Sequence, residues 1–152
     1  MGKIDVICEN NKLKVVRNNG KYGAINKEGE IIVSCKYDDI CPYDEDLLRV
    51  KINNKYGFIN YEGKEITSCK YEDVWLSREG LRKVRYNNKF GFIDRNGKEI
   101  VPCKYDFAWS FERGFSVVGL NKKYGIVNKR GEEIIPCIYN CIAKLEESIL
   151  PF

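Results

Sequence analysis

The sequence predicts an all-β protein of tandem 34-residue repeats, each a three-stranded meander plus a hook, stacked as an open β superhelix. A small closed propeller-like ring is the alternative. Three observations lead there. One hexapeptide pattern recurs at a fixed interval, each copy carries two turn signatures, and no segment holds a 3.6-residue apolar period over a helical length. The helix-like residues 144–148 are too few to count as an element.

The repeat is visible directly. KYGAIN, KYGFIN, KFGFID and KYGIVN begin at Lys21, Lys55, Lys89 and Lys123, each start 34 residues after the last without insertion or deletion. Gly29, Gly63, Gly97 and Gly131 keep the register, as do Ile32, Ile66, Ile100 and Ile134. So do Cys35, Cys69, Cys103 and Cys137, and Tyr37, Tyr71, Tyr105 and Tyr139. Leu13, Leu47, Leu81, Phe115 and Ile149 extend it into a fifth, truncated copy. The chain therefore reads as a single repeat domain over 1–152, with a partial unit 1–12, repeats 13–46, 47–80, 81–114 and 115–148, and a truncated unit 149–152.

Within a unit the first strand is a run such as residues 47–52. A two-residue corner follows: Asn19-Gly20, Asn53-Asn54, Asn87-Asn88 or Asn121-Lys122. Asn-Gly favours the type I′ hairpin turn because both residues must take positive φ, and Asn tolerates that conformation better than most. The second strand is the Lys-aromatic-Gly segment. It ends in a turn such as Asn60-Tyr61-Glu62-Gly63, where Asn bonds its own backbone and Gly supplies the left-handed residue. The third strand is short, Ile66-Thr67 or Ile100-Val101, with Pro102 and Pro136 stopping two copies. A hook through Cys69-Lys70-Tyr71 reaches Trp75, and a polar loop containing Gly80 or Gly114 leads onward.

The ends favour the open stack over the ring. Residues 3–8 resemble a hook, one residue out of register with 36–41, and a complete fourth hook is followed by the start of another first strand, 148–152. A closed ring of four would have spare pieces at both ends. Pro151 would blunt the exposed edge.

These residues resemble the WG-repeat, or KWG-repeat, family of bacterial proteins. Its pattern is roughly a Lys-Trp-Gly-Phe/Tyr-Ile-Asp hairpin, a Lys-x-Gly-Lys/Glu turn, then Ile-Pro-Pro-x-Tyr-Asp. Here it becomes Lys89-Phe90-Gly91-Phe92-Ile93-Asp94, Asn96-Gly97-Lys98-Glu99 and Ile100-Val101-Pro102-Cys103-Lys104-Tyr105-Asp106, and the match spans residues 13–142. The name-giving Trp is Tyr22, Tyr56, Phe90 and Tyr124, and the second Pro is Cys in all four copies. The resemblance implies an all-β repeat fold used for binding, with no shared catalytic residue.

Composition narrows the function. There is no histidine, which removes the commonest general base and metal ligand. The net charge of +4 comes from 26 basic and 22 acidic residues with no run of five like charges, so specific nucleic-acid binding is not expected. No stretch approaches a membrane span, and the N-terminus does not read as a signal peptide. The seven cysteines, an odd number, are expected to be reduced in a cytoplasm.

Repeated features are read as frame. The four equivalent cysteines would converge on a metal only in a closed ring. In an open stack they are small packing residues, so neither a metal nor a disulfide nor a cofactor is expected. Tyr37-Asp38, Tyr71-Glu72, Tyr105-Asp106 and Tyr139-Asn140 recur at every repeat, whereas catalysis needs one unique site; they read as hydrogen-bonded hooks, and the chain is not expected to be an enzyme. Gly23, Gly57, Gly91 and Gly125 read as close-packing positions inside strands.

Function is expected where the copies differ. One aligned position holds Cys41, Trp75, Trp109 and Ala143; two residues on stand Tyr43, Ser77, Phe111 and Leu145, with Asp44, Arg78 and Glu112 following. Repeat proteins vary one loop face to bind. The expected binding residues are Tyr43, Trp75, Arg78, Trp109, Phe111 and Arg113; the alternative is that both Trp residues merely cap the core between stacked units. The expected residues suit a protein partner that the chain binds or blocks, as an inhibitor or immunity-type scaffold. The alternative is a binder or sponge for a small anionic ligand such as a nucleotide, for which Arg78, Arg82, Arg85 and Arg113 would have to converge on aromatic platforms.

Overall fold

The computed structural model describes residues 4–149, and these form four antiparallel four-stranded sheets and one helix. The first sheet holds β1 (Asp5–Glu9), β2 (Lys14–Asn18), β3 (Lys21–Ile25) and β4 (Ile31–Tyr37). The second holds β5 (Asp39–Pro42), β6 (Leu47–Ile52), β7 (Lys55–Asn60) and β8 (Glu65–Tyr71). The third holds β9 (Asp73–Val74), β10 (Arg82–Tyr86), β11 (Lys89–Ile93) and β12 (Glu99–Tyr105). The fourth holds β13 (Phe107–Ala108), β14 (Phe115–Leu120), β15 (Lys123–Asn128) and β16 (Glu133–Tyr139). Every sheet is a sequential meander, and none closes into a barrel.

The all-β repeat class is as expected, but the sheets divide the chain differently from the expected three-stranded units. The end of each hook is the first strand of the next sheet, joined by one residue: Asp38, Glu72 or Asp106. The third strand of the expected unit is seven residues long and runs through the cysteine to the tyrosine. Pro102 and Pro136 do not stop it. They lie inside β12 and β16, which are edge strands, where a missing N–H costs no ladder bond.

Both turn signatures are realised. Asn19, Asn53, Asn54, Asn87, Asn88, Asn121 and Lys122 all take positive φ, as type I′ corners require. In the second turn Asn60 Oδ1 accepts the N–H groups of Glu62 and Lys64 at 3.0 and 2.8 Å; Asn26, Asp94 and Asn128 repeat the pattern. Between the turns the last strand bulges. Tyr22 pairs with Tyr37 but Ala24 with Val33, so three residues of β4 face Gly23 alone. A Cβ at Gly23 would lie 2.4 Å from the Val33 carbonyl oxygen, and at Gly91 2.5 Å from that of Val101. Hydrogen would be the only side chain that fits.

The hook carboxylates tie neighbouring sheets. Asp38 pairs with Lys21 on β3 and accepts the Asn53 N–H, 2.9 Å away in the β6–β7 corner. Asp106 does the same between Lys89 and Asn121. Each carboxyl is held below the ordinary value, first by its lysine and then by the backbone N–H.

The chain divides into two compact units, Met1–Lys70 and Tyr71–Phe152. In the first, Leu13, Val15, Ala24, Val33 and Tyr37 of the first sheet pack on Ile40, Leu48, Val50 and Ile59 of the second. In the second unit, Leu81, Phe92, Val101 and Tyr105 pack on Ala108, Phe111, Val118 and Val127. Ile66 is only half-buried, because the inward position is its neighbour Thr67; Val33 and Val101 occupy the same buried place in other copies.

The ends depart from expectation too. Residues 3–8 looked one residue out of register because β1 carries a bulge: Val6 pairs with Val16 and Cys8 with Val15, leaving Ile7 extra. The truncated fifth unit is not a strand where it is described. Ile149 closes the helix α1 (Ile142–Ile149), and residues 150–152, with Pro151, lie outside the described residues. Leu145 of α1 is fully buried against Val117 and Ile126, so the helix covers a sheet face that would otherwise be bare.

Candidate functional site

The variable segments are hairpin connections within sheets, not loops between repeats. The segment 75–81 that joins β9 to β10 closes in a two-residue turn, Glu79-Gly80, around which Arg78 and Leu81 exchange N–H···O bonds of 2.8 and 3.0 Å. Glu112 and Phe115 do the same between β13 and β14, at 2.9 and 3.1 Å. Glu79 and Arg113 both adopt positive φ there, an uncommon conformation for such side chains. The Glu79 carboxylate accepts the Gly114 N–H at 2.8 Å, which ties the two hairpins into one rim.

The expected site residues separate on this rim. Trp109 is 43% exposed, its ring 6.0 Å from Phe107, which stands edge-on to Tyr124. Trp75 is half-buried: its ring is 5.7 Å from Phe90, Lys83 Nζ lies 4.6 Å over it, and its carbonyl accepts from Arg82 at 2.7 Å. Lys83 Nζ also donates to the Ala108 carbonyl at 3.1 Å, and burial pulls its pKa down. Arg78 and Arg113 are exposed at the hairpin tips.

Phe111 is a correction. It is 2% exposed, set edge-on 4.7 Å from Phe92, and belongs to the core rather than to a binding face. Tyr43, in the other unit, is half-buried 6.0 Å from Phe58, with the Arg49 guanidinium 5.0 Å from its ring and 4.9 Å from that of Tyr56. That Tyr-Arg-Tyr stack was missed, because Arg49 and Tyr56 stand in a strand and in the repeated frame. Leu76, 59% exposed beside Trp75, was missed as well; no periodicity marks it. The anionic-ligand expectation is weakened, since Arg82 is buried and Arg85 is paired with Asp73.

The repeated polar groups are engaged in the frame. Cys103 and Cys137 donate their N–H groups to the Glu99 and Glu133 carboxylates, at 2.8 and 3.1 Å. Burial, reinforced by Glu133, pushes the Cys137 thiol up to about 11. All seven cysteines are free, and among the described residues no group of three or more acidic or cysteine side chains is arranged to hold a metal ion.

Four meandering sheets, joined by one-residue hooks and repeated in register, define a tandem β-repeat protein whose variable side chains cluster on hairpin tips. The chain belongs to the WG-repeat family: the WG containing repeat matches residues 22–56, 56–90, 90–124 and 124–147. No curated protein matches it. Among solved structures it is similar, at 12% identity and a TM-score of 0.32 over 99% of this chain and 100% of the other, to a plant lectin with two metal-binding sites from Cicer arietinum. A likeness that low carries no argument about fold or function.

Proposed function

We propose that the chain is a non-enzymatic binding module that holds or blocks a protein partner on the rim of the β9–β10 and β13–β14 hairpins. The observation that carries this reading is the exposure of Leu76 and Trp109, 59% and 43%, on two hairpins locked together through Glu79. The frame does not require these side chains, whereas Tyr37, Tyr71 and Tyr105 are buried, the strand glycines make room for the neighbouring main chain, and Asp38 and Asp106 bond across two sheets. Rigid aromatic and aliphatic anchors flanked by arginine suit a protein surface. The same reading makes this a bacterial, cytoplasmic inhibitor or immunity-type scaffold.

The test is affinity capture from lysate with wild-type chain and with a Leu76→Ser, Trp109→Ala variant as bait, followed by titration of the captured protein. Binding should weaken by about 2 kcal/mol or more, the range for interface anchors, with an unchanged circular dichroism spectrum. Capture that is equal for the two baits would refute the proposal.

A further inference from the structure

Consecutive sheets within a unit meet through the same contacts. The second turn of the later sheet rests on the last strand of the earlier one: a Cβ at Gly63 would lie 2.5 Å from the Ile32 carbonyl oxygen, and at Gly131 2.1 Å from that of Ile100. Beside this contact a lysine of the earlier sheet covers the hook tyrosine, Lys36 over Tyr37 and Lys104 over Tyr105, both at 5.3 Å. A glutamate of the later sheet completes the junction, as where the Tyr105 hydroxyl donates to Glu133 at 3.2 Å.

Among the described residues, the first and last sheets each present half of that junction. Nothing lies within 4 Å of a Cβ built on Gly29 in the β3–β4 turn, and Ile31 beside it is 75% exposed. On β16, Ile134 and Ile138 are 43% and 62% exposed. Ile31 occupies the place of Glu65, Glu99 and Glu133, and Ile138 that of Lys36, Lys70 and Lys104. All six of those charged residues are exposed. In the sequence, the lysine and glutamate positions of the junction thus hold isoleucine only in the last and the first described sheets respectively. Exposed isoleucines in place of charges gain nothing for a solitary chain.

We propose that the β3–β4 turn and Ile31 of one copy dock on Ile134 and Ile138 of a second copy, continuing the sheet-to-sheet junction between molecules. The contact is head-to-tail, so each copy keeps one unmatched half. α1 packs on Val117, Ile126 and Tyr139 but leaves Ile134 and Ile138 open, so the contact is confined to the β16 edge. A patch that narrow makes a weak, reversible assembly.

Sedimentation equilibrium over a range of concentrations tests this. The wild-type chain should show an average mass that rises above 17.7 kDa with concentration. Ile31→Glu alone, or Ile138→Lys alone, should weaken association by more than about tenfold, because each places one unpaired charge in the contact. The double variant Ile31→Glu, Ile138→Lys restores the residue types of the internal junction, with opposite charges on its two sides, and should recover association. Circular dichroism checks that each variant is folded, and both sites are exposed. A wild-type mass that stays at 17.7 kDa, single variants that associate like wild type, or a double variant no better than the singles would each overturn the proposal.

Discussion

Truncating Phe111 separates core from rim. The side chain is 2% exposed and lies 4.7 Å from Phe92, with ring planes at 78°. A buried phenylalanine removes about 150–250 Å² from water, which at about 25 cal/mol per Å² corresponds to roughly 4–6 kcal/mol for the whole residue. Phe111→Ala keeps the Cβ but loses the ring, the edge-to-face contact and the filling of the space between the third and fourth sheets. The expected cost is about 3–5 kcal/mol. Trp109→Ala, 43% exposed on the same hairpin, should cost about 1 kcal/mol or less.

Urea unfolding followed by tryptophan fluorescence suits the comparison. Trp75 and Trp109 are the only tryptophans and both lie in the unit that contains Phe111. In the Trp109→Ala variant Trp75 remains as the reporter. The reasoning fails if Phe111→Ala unfolds at the wild-type midpoint, or if Trp109→Ala is the more destabilising of the two. Either result would return Phe111 to the surface and make Trp109 the residue that anchors the hairpin.

Other consequences follow from the frame. Gly91→Ala should destabilise by about 1–3 kcal/mol or more, since its Cβ would meet the Val101 carbonyl oxygen and the Cys103 main chain as well as the Cys103 thiol, and the main-chain atoms cannot swing aside; a thermal melt reads this. Cys141 is exposed and should be alkylated quickly at pH 8, while Cys137, with its thiol near 11, should react slowly in the folded chain; peptide mapping after a short iodoacetamide pulse distinguishes them. The Asp106 carboxyl is depressed below 3.8 by Lys89 and then by the Asn121 N–H. A depressed folded value means the folded state binds the proton less tightly than the unfolded state. The stabilisation is therefore present above that ordinary value and is lost as pH falls through the folded one. Asp106→Asn should flatten the acid limb of a stability profile below about pH 4.

Much of the frame was legible because turn chemistry is local. Asn-Gly and its variants fix positive φ, Asn60 and its equivalents bond their own backbone, and both signals are complete within five residues. The bulges were not legible, because they depend on which residue of the partner strand lies opposite. Ile7 looked like a register error until its neighbours' pairing with Val15 and Val16 was visible. The site was less legible than the fold. Tyr43, Ser77, Phe111 and Leu145 vary at one aligned position, and in a repeat protein such variation points to binding. In the structure Phe111 and Leu145 are fully buried and Tyr43 is half-buried; only Ser77 is exposed. At Phe111 and Leu145 the side chain fills the core of the second unit, a demand set by tertiary packing and not visible in the local sequence.

The exchange of the family's second proline for cysteine belongs to the same packing problem. Proline has no N–H, but Cys103 and Cys137 use theirs to bind Glu99 and Glu133. The second oxygen of Glu133 accepts the hydroxyl of Tyr105 from the preceding sheet. Cysteine and glutamate therefore act together: the backbone N–H orients the carboxylate, and the carboxylate satisfies a tyrosine whose ring is otherwise buried. A glutamate at this position is useful only where an earlier sheet supplies the tyrosine. Tyr37, Tyr71 and Tyr105 are followed by Glu65, Glu99 and Glu133, each one sheet later. The first sheet has no described predecessor, and there the position holds Ile31. The identity of this residue is thus set by what stands across the junction, which is why an isoleucine at that point marks a surface suited to a different neighbour.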